Sequence, residues 1–262
     1  MRDNNIVVPE LVDGCRMSCA LCWNRNRHGS MENMSLDIVR EIVKKHKKYT
    51  ICWFNWGEPL WHTDFEEVSD IIEPTVSFVS SSFSLPISDD YLSALTKWKR
   101  VYISLSGMTQ DVYEIYNRGG NIDSVFLNLE RFLATNHQEI IIRWQSHPLN
   151  RHQKEKAFEY CESKGIKFMP IPLNCEVEDL IEGFDHELLR KPKFNHLLND
   201  CVISRQLPIG VDGSYLLCCA THNVKTGYTI FDDISEEELL KKRMDLPLCQ
   251  TCRERKLFQM YC

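Results

Sequence analysis

Six short β-prone runs set the plan of this chain: Ile6–Leu11, Thr50–Phe54, Thr75–Val79, Val101–Leu105, Glu139–Trp144 and Ile166–Met169. Between them lie stretches with the apolar spacing of amphipathic helices. Ser35 caps one, with Leu36, Val39 and Val43 on a face. Thr63-x-x-Glu66 reads as a capping box for another, with Phe65, Val68 and Ile72 inward. Ser88 opens a third, carrying Tyr91, Leu92, Leu95 and Trp98. Val125, Leu129, Phe132 and Leu133 mark a fourth, and Ala157, Phe158 and Cys161 a fifth. Strands alternating with helices predict βα units, a parallel sheet and an α/β fold.

The chain has 262 residues, 43% hydrophobic and 26% charged, which suits one large domain or a domain with a small appendage. No apolar run approaches the ~20 residues that span a bilayer. The six-residue, mostly apolar run near the start is too short for a signal-peptide core. The expected location is the cytoplasm, with no membrane partner. The net charge is −6, and basic clusters occur only at Lys44-Lys45-His46-Lys47-Lys48 and Lys241-Lys242-Arg243. Both fall at the ends of predicted helices, where cations favour the helix dipole, so no nucleic-acid partner is expected. Twelve cysteines without an export signal point to metal ligation or catalysis rather than disulfides. Nine of the twelve gather towards the two ends of the chain.

The first group, Cys15, Cys19 and Cys22, has the spacing C-x3-C-x2-C on a long loop after the first strand, from about Val12 to Asn33. Three thiolates on one short loop can hold three corners of a cubane cluster. A zinc site usually pairs cysteines as C-x2-C with a second pair elsewhere. Asn55-Trp56-Gly57-Glu58-Pro59 follows the second strand, with Gly57 permitting close backbone approach. Ser104-Leu105-Ser106-Gly107 closes the fourth and leads to Arg118-Gly119-Gly120-Asn121. Ser80, Ser81 and Ser82 end the third strand; Arg143, Trp144 and His147 end the fifth. These ends of the third and fifth strands are expected to line the cavity, with packing at the barrel rim the alternative for Trp144 and His147.

Together these motifs resemble those of the radical S-adenosylmethionine (SAM) enzymes. The resemblance implies a (β/α)6 partial TIM barrel with its site at the C-terminal strand ends. It implies a [4Fe–4S] cluster on Cys15, Cys19 and Cys22, whose open iron binds the SAM amino and carboxylate groups. Leu21 matches the apolar position that packs on adenine. Trp56, Gly57, Glu58 and Pro59 match the Gly-Gly-Glu-Pro motif, with Trp56 in place of the first glycine. Ser104, Arg118 and Arg143 are the positions suited to the SAM ribose or carboxylate, and Arg143 equally to a substrate oxygen. Ser106 stands where the family has aspartate.

The second group begins at Cys201-x11-Gly213-x4-Cys218, with Leu207–Val211 and Ser214–Cys218 reading as a hairpin on a type I′ turn at Asp212-Gly213. A helix over Ser235–Met244 follows, then Cys249-x2-Cys252. This resembles the opening of SPASM and Twitch extensions. Position 258 is Phe where a second auxiliary cluster needs cysteine, so the shorter Twitch form is implied. Its single auxiliary [4Fe–4S] cluster falls to Cys201, Cys218, Cys249 and Cys252, with Cys262 as rival ligand and a four-cysteine zinc site as rival metal. Cys219 is a strand cysteine or a hydrogen-atom donor; Cys52, Cys161 and Cys175 read as core residues. The expected organisation is a barrel over 1–172, a linker over 173–200 and a hairpin–helix extension over 201–262.

The chain is similar to the Twitch dehydrogenases of the aminocyclitol (2-deoxy-scyllo-inosamine) type. That implies cleavage of SAM to a 5′-deoxyadenosyl radical and net two-electron oxidation of a sugar- or aminocyclitol-like alcohol. Candidate catalytic residues are Arg143, His147 and Cys219. A flavodoxin or ferredoxin is the expected reductant. Radical epimerisation of a sugar, modification of a ribosomally made peptide, and a metal-binding interaction protein are the alternatives.

Overall fold

The computed structural model describes residues 6–22, 30–173, 180–181, 206–218 and 224–254. Strands β1 (Ile6–Pro9), β4 (Thr50–Trp53), β5 (Ser77–Ser81), β6 (Arg100–Leu105), β7 (Glu139–Ser146) and β8 (Lys167–Pro172) pair in parallel, in that order. They are the six strands of a partial barrel, joined by helices α1 (Leu36–His46), α2 (Phe65–Ile71), α3 (Asp89–Leu95), α4 (Gln110–Tyr116), α5 (Ile122–Leu133) and α6 (Lys154–Ser163). The last strand runs through Pro170 and on to Pro172, beyond its sequence-based end. Among the described residues it pairs only with β7, and an edge strand tolerates residues that lack a donor.

Alternation decides what each strand residue meets. In β6, Val101, Ile103 and Leu105 are buried under the helices, while Arg100, Tyr102 and Ser104 are half-buried on the other face. In β4, Ile51 and Trp53 face the helices and Cys52 does not. The helix layer supplies matching stripes, such as Ile38, Val39 and Ile42 of α1 and Val125, Leu129 and Phe132 of α5. Trp98 stacks on Phe65 at 5.7 Å, meets Trp53 edge-on at 6.4 Å, and donates to Ser69 Oγ at 2.9 Å. The indole therefore gains both ring packing and a hydrogen-bond acceptor.

Two local expectations give way. Helix α2 is capped by Asp64 without a side-chain bond, not by a Thr63 capping box. The Thr63 hydroxyl instead accepts from Asn33 Nδ2. The cysteine loop also is not free of secondary structure. Its base is closed by the ribbon β2 (Val12–Asp13) and β3 (Glu32–Asn33).

The C-terminal hairpin joins the barrel sheet rather than standing apart. Strand β9 (Gln206–Ile209) lies parallel to β1, and β10 (Ser214–Leu216) and β11 (Lys225–Thr229) continue outward in antiparallel pairing. Its turn is not type I′, which needs positive φ at both central residues. Only Gly213 has it (φ +80°), and the Gly213 N–H donates to the Gly210 C=O. This is the arrangement of a three-residue loop ending in a left-handed bulge glycine. Helices α7 (Glu236–Asp245) and α8 (Pro247–Glu254) follow; Ser235, read as the first residue of the helix, is instead the cap of α7.

Arg243 of α7 is 3% exposed; it donates from Nε to the Leu217 C=O and from Nη2 to the Gln206 C=O. It ties the helix to both hairpin strands. Replacing it by alanine strips buried carbonyls of a charged donor. Arg243→Ala should lower stability by about 3 kcal/mol, read as a reduced urea midpoint at unchanged slope. An unchanged midpoint would remove this tie from the account.

Candidate active site

A cavity of about 600 Å3 opens at the C-terminal ends of the barrel strands. Cys15, Cys19 and Cys22 line it together with Leu21, Trp56, Gly57, Glu58, Ser104 and Arg143. The fold thus gathers most of the residues singled out in the sequence. Pro59 opens a short 3-10 turn, Pro59–Trp61, directly behind Glu58.

The cysteine loop is held by backbone from two directions. On one side, the Ser18 and Ala20 N–H groups donate to the Arg118 and Tyr116 C=O groups at 2.9 and 2.8 Å. On the other, the Glu58 N–H donates to the Gly14 C=O at 3.0 Å. At Gly57 a Cβ would fall 1.8 Å from the Val12 carbonyl oxygen, so only glycine fits. At Gly120 a Cβ would lie 2.8 Å from Met17 Cε and 2.5 Å from Ser84 Oγ. The Arg118-Gly119-Gly120 segment is therefore a buttress for the loop.

The three thiols suit ligation to metal. Burial pushes Cys15 up to about 12, with further upward pressure from Glu58 and Cys22. Burial also holds Cys19 well above its usual value, reinforced by Cys22 and Cys15. Thiols so placed ionise only beside compensating cationic metal.

Glu58 is buried, which raises its pKa, and hydrogen bonds from Ser82 and Ser81 oppose the rise. Its Oε2 accepts from the Ser82 N–H at 2.9 Å. Ser106, at the family's aspartate position, donates to Asn117 Oδ1 and to the Tyr113 C=O. Asn117 in turn directs Nδ2 to Cys19 Sγ at 3.7 Å. The motif substitution therefore feeds a hydrogen bond to a cysteine sulfur, a partner that sequence reasoning missed.

Glu10 was also missed, inside a run read only as apolar. It is 1% exposed, and its Oε1 accepts from the Trp56 N–H at 3.3 Å. Burial, helped by Asp13, pushes it up to about 8. A lone carboxylate at the end of an apolar strand before the cysteine loop was the available signal.

Other expectations need correction. Arg118 is not among the cavity residues; its guanidinium donates to the Leu180 and Ile181 carbonyls. Trp144 and His147 do not line the cavity either. In β7 the odd-numbered Ile141, Arg143 and Gln145 share one face, so Trp144 points to the helix layer. His147 lies beyond the strand, 1% exposed, with its ring stacked on Tyr116 and both nitrogens unpaired among the described residues. Burial lowers it to about 4, so it stays neutral. Cys52 is not a core residue: it lines the cavity, and burial pushes its thiol up to about 12. Cys161 is core. Cys175, Cys201, Cys219 and Cys262 lie outside the described residues.

A partial parallel barrel with a three-cysteine loop and a glycine–glutamate–proline turn at its mouth defines a class of radical-generating, cluster-bearing enzymes. The sequence profile of the Radical SAM superfamily matches residues 10–143, just over half of the chain. The chain belongs to the radical SAM superfamily, and with it come SAM and a [4Fe–4S] cluster as cofactors.

A probable GTP 3′,8-cyclase of Methanococcus maripaludis is 25% identical over 170 residues, covering 60% of this chain and 56% of its own length. The GTP 3′,8-cyclase of Clostridium perfringens strain 13 is 24% identical over 203 residues, covering 70% and 61%. The chain spans little more than half the length of these curated relatives. Among solved structures, Streptococcus suis SuiB bound to S-adenosylmethionine superposes with a TM-score of 0.66 at 14% identity, over 95% of this chain and 68% of that one. The anSMEcpe structure with bound AdoMet gives 0.66 at 17%, over 98% and 87%. BtrN in complex with AdoMet and 2-DOIA gives 0.52 at 12%, over 98% and 87%. At such identities the likeness is one of fold.

Two outcomes test the site. Asn117→Ala removes the amide donor to Cys19 and should lower the midpoint potential of the N-terminal cluster by about 40 mV, the one-electron equivalent of ~1 kcal/mol. Redox titration followed by electron paramagnetic resonance reads it; an unmoved potential removes the hydrogen bond from the account. For Glu10, the folded pKa lies above the unfolded one. Its stabilisation is therefore complete below about pH 4 and lost as pH rises towards 8. Glu10→Gln should flatten the fall in stability between those limits, measured by urea unfolding across pH. A wild-type slope retained in the variant contradicts the assignment.

Proposed function

We propose that the chain is a Twitch-type radical SAM dehydrogenase that oxidises a carbohydrate-like alcohol. Cys15, Cys19 and Cys22 hold the SAM-cleaving cluster. Cys201, Cys218, Cys249 and Cys252 hold one auxiliary cluster in the extension over 201–262, beyond the 1–172 barrel and the 173–200 linker. One observation carries the auxiliary site. Cys218, at the end of β10, and the buried Cys249 of α8 pack into one apolar cluster around Leu217. Residues more than thirty positions apart are thereby neighbours, and Cys252 follows three positions later in the same helix.

Bound there, SAM and the two clusters supply a one-electron reduction, a carbon radical that takes a hydrogen atom, and an acceptor for the second substrate electron. The chain's own residues orient and enclose. Gly57 and Glu58 present a backbone-lined edge and a carboxylate for the SAM amino group. Leu21, packed with Ala20 and Tyr116, offers an apolar surface for adenine. The cavity volume suits a small molecule. The fold shared with BtrN, solved with 2-DOIA, supports the same reading.

Cys52 favours a second reading, radical epimerisation. It presents a protonated thiol to the cavity, and an S–H group can return a hydrogen atom to a carbon radical. The cyclase relatives and the peptide complexes of SuiB and anSMEcpe put a nucleotide and peptides into the test panel.

Anaerobic reconstitution should give about eight irons per chain and reductant-dependent 5′-deoxyadenosine. A Cys218→Ala/Cys249→Ala variant should retain about four irons and SAM cleavage while losing the ketone. One SAM consumed per ketone supports dehydrogenation. Solvent deuterium in an alcohol product, lost in Cys52→Ala, supports epimerisation instead. Zinc, or iron without SAM cleavage, overturns the enzyme reading.

A further inference from the structure

The turn that follows β4 rests on the chain that leaves β1, contact by contact. A Cβ at Gly57 would strike the Val12 carbonyl, and the Glu58 N–H donates to the Gly14 C=O. Backbone makes both of these contacts. A side chain makes the next one along. Glu10 Oε1 accepts from the Trp56 N–H at 3.3 Å, and the Gly57 N–H acts on the same carboxyl group. Glu10 is itself anchored: its own N–H donates to the Ile209 C=O at 2.9 Å, where β9 lies parallel to β1. It is 1% exposed and is not among the residues that line the cavity.

A trans peptide sends its N–H and its C=O in opposite directions. The Trp56 and Gly57 N–H groups are turned to Glu10, so the Asn55 and Trp56 carbonyls of the same two peptides are turned away from it. Asn55, Trp56, Gly57 and Glu58 line the cavity. The side away from Glu10 is therefore the cavity side, and both carbonyls are acceptors presented there. Among the described residues the Asn55 C=O accepts no hydrogen bond. The Glu58 oxygens are already engaged, accepting the Leu60 and Ser82 N–H groups. An ammonium group brings three donors and a full positive charge, so it needs further acceptors fixed in place. An apolar side chain at position 10 would leave two N–H groups of the turn without their acceptor, a cost that turning the peptides over would relieve. That reversal would take the carbonyls out of the cavity.

We propose that Glu10 is a positioning residue for SAM: by holding the Trp56 and Gly57 N–H groups, it turns the Asn55 and Trp56 carbonyls towards the SAM ammonium. The inference rests on the placement of that ammonium at the turn and is independent of which alcohol is oxidised.

Two measurements on the reconstituted wild type, Glu10→Gln and Glu10→Leu test it, both anaerobic and at pH 7. Isothermal titration gives the Kd for SAM, and hydrogen–deuterium exchange of the SAM-free proteins reads the amides of the turn. Burial keeps Glu10 protonated at this pH, so glutamine reproduces its acceptor and its donor. Glu10→Gln should bind SAM within threefold of wild type, with exchange unchanged. In Glu10→Leu the Trp56 and Gly57 amides should exchange at least tenfold faster, and the Kd for SAM should rise at least tenfold. Its iron content and the electron paramagnetic resonance signal of its SAM-free cluster should match wild type, which a general loosening of the site would not allow. Faster exchange with unaltered SAM affinity makes Glu10 a structural residue only and overturns the proposal. Unaltered exchange overturns it too, as does a changed cluster signal in the SAM-free variant. Where Glu10→Leu does not fold, Glu10→Asp replaces it. Its acceptor is withdrawn by one methylene, and the same two changes are expected of it. A wild type that binds no SAM defeats the reading of the turn and the proposal together, whereas wild-type binding with an unaltered variant defeats the proposal alone.

Discussion

The site depends on strand parity. Each parallel strand of the barrel turns alternate residues to the helix layer and to the cavity. The helix-facing set is large and apolar, as with Trp53, Val101, Ile103, Ile142 and Trp144, all buried. The other set is free to be polar because the partial barrel leaves its interior open. That division lets Cys52, Tyr102, Ser104, Arg143 and Gln145 share one cavity without lowering the quality of the core. A shift of one residue in any strand would exchange the two sets, so the same packing that stabilises the barrel fixes the register of its chemistry.

At the mouth, position is set by backbone rather than by side chains. The cysteine loop donates hydrogen bonds to the Tyr116 and Arg118 carbonyls on one flank and accepts one from the Glu58 N–H on the other. Glycines at 57 and 120 allow these approaches, since a Cβ at either would collide with the loop or its support. The three thiols are thus constrained before any iron arrives, and Asn117 and Ser106 continue the constraint to the Cys19 sulfur. Such supporting interactions are what hold a reactive constellation to a working geometry.

Much of this was legible in the sequence, and the exceptions share a cause. Strand positions, the Ser35 and Ser88 caps and the cysteine loop follow from local pattern. The errors arose where long-range contact decides. Thr63 looks like a cap, but its hydroxyl is engaged by Asn33, which lies across the chain on β3. Asp212-Gly213 looks like a type I′ turn, yet the turn begins at Gly210 and leaves only Gly213 left-handed. Cys52 has the parity of Phe54 and could have been placed in the cavity by counting. Trp144 could have been excluded by the same count. Glu10 carried no motif and Asn117, inside a family-like segment, carried no role, because their roles exist only once the Trp56 N–H and the Cys19 sulfur have been brought to them.

Charge in the cavity completes the physical account. Burial raises the pKa of Glu58 and holds the Cys15 and Cys52 thiols near 12. Before any cofactor binds, the walls therefore resist negative charge. Metal at the cysteine loop would draw the thiolates into existence, and cationic SAM would draw charge onto Glu58. Each of these ligands makes the cavity more nearly neutral at its own end. A dry, neutral enclosure is the condition under which a carbon radical meets its substrate before it meets solvent.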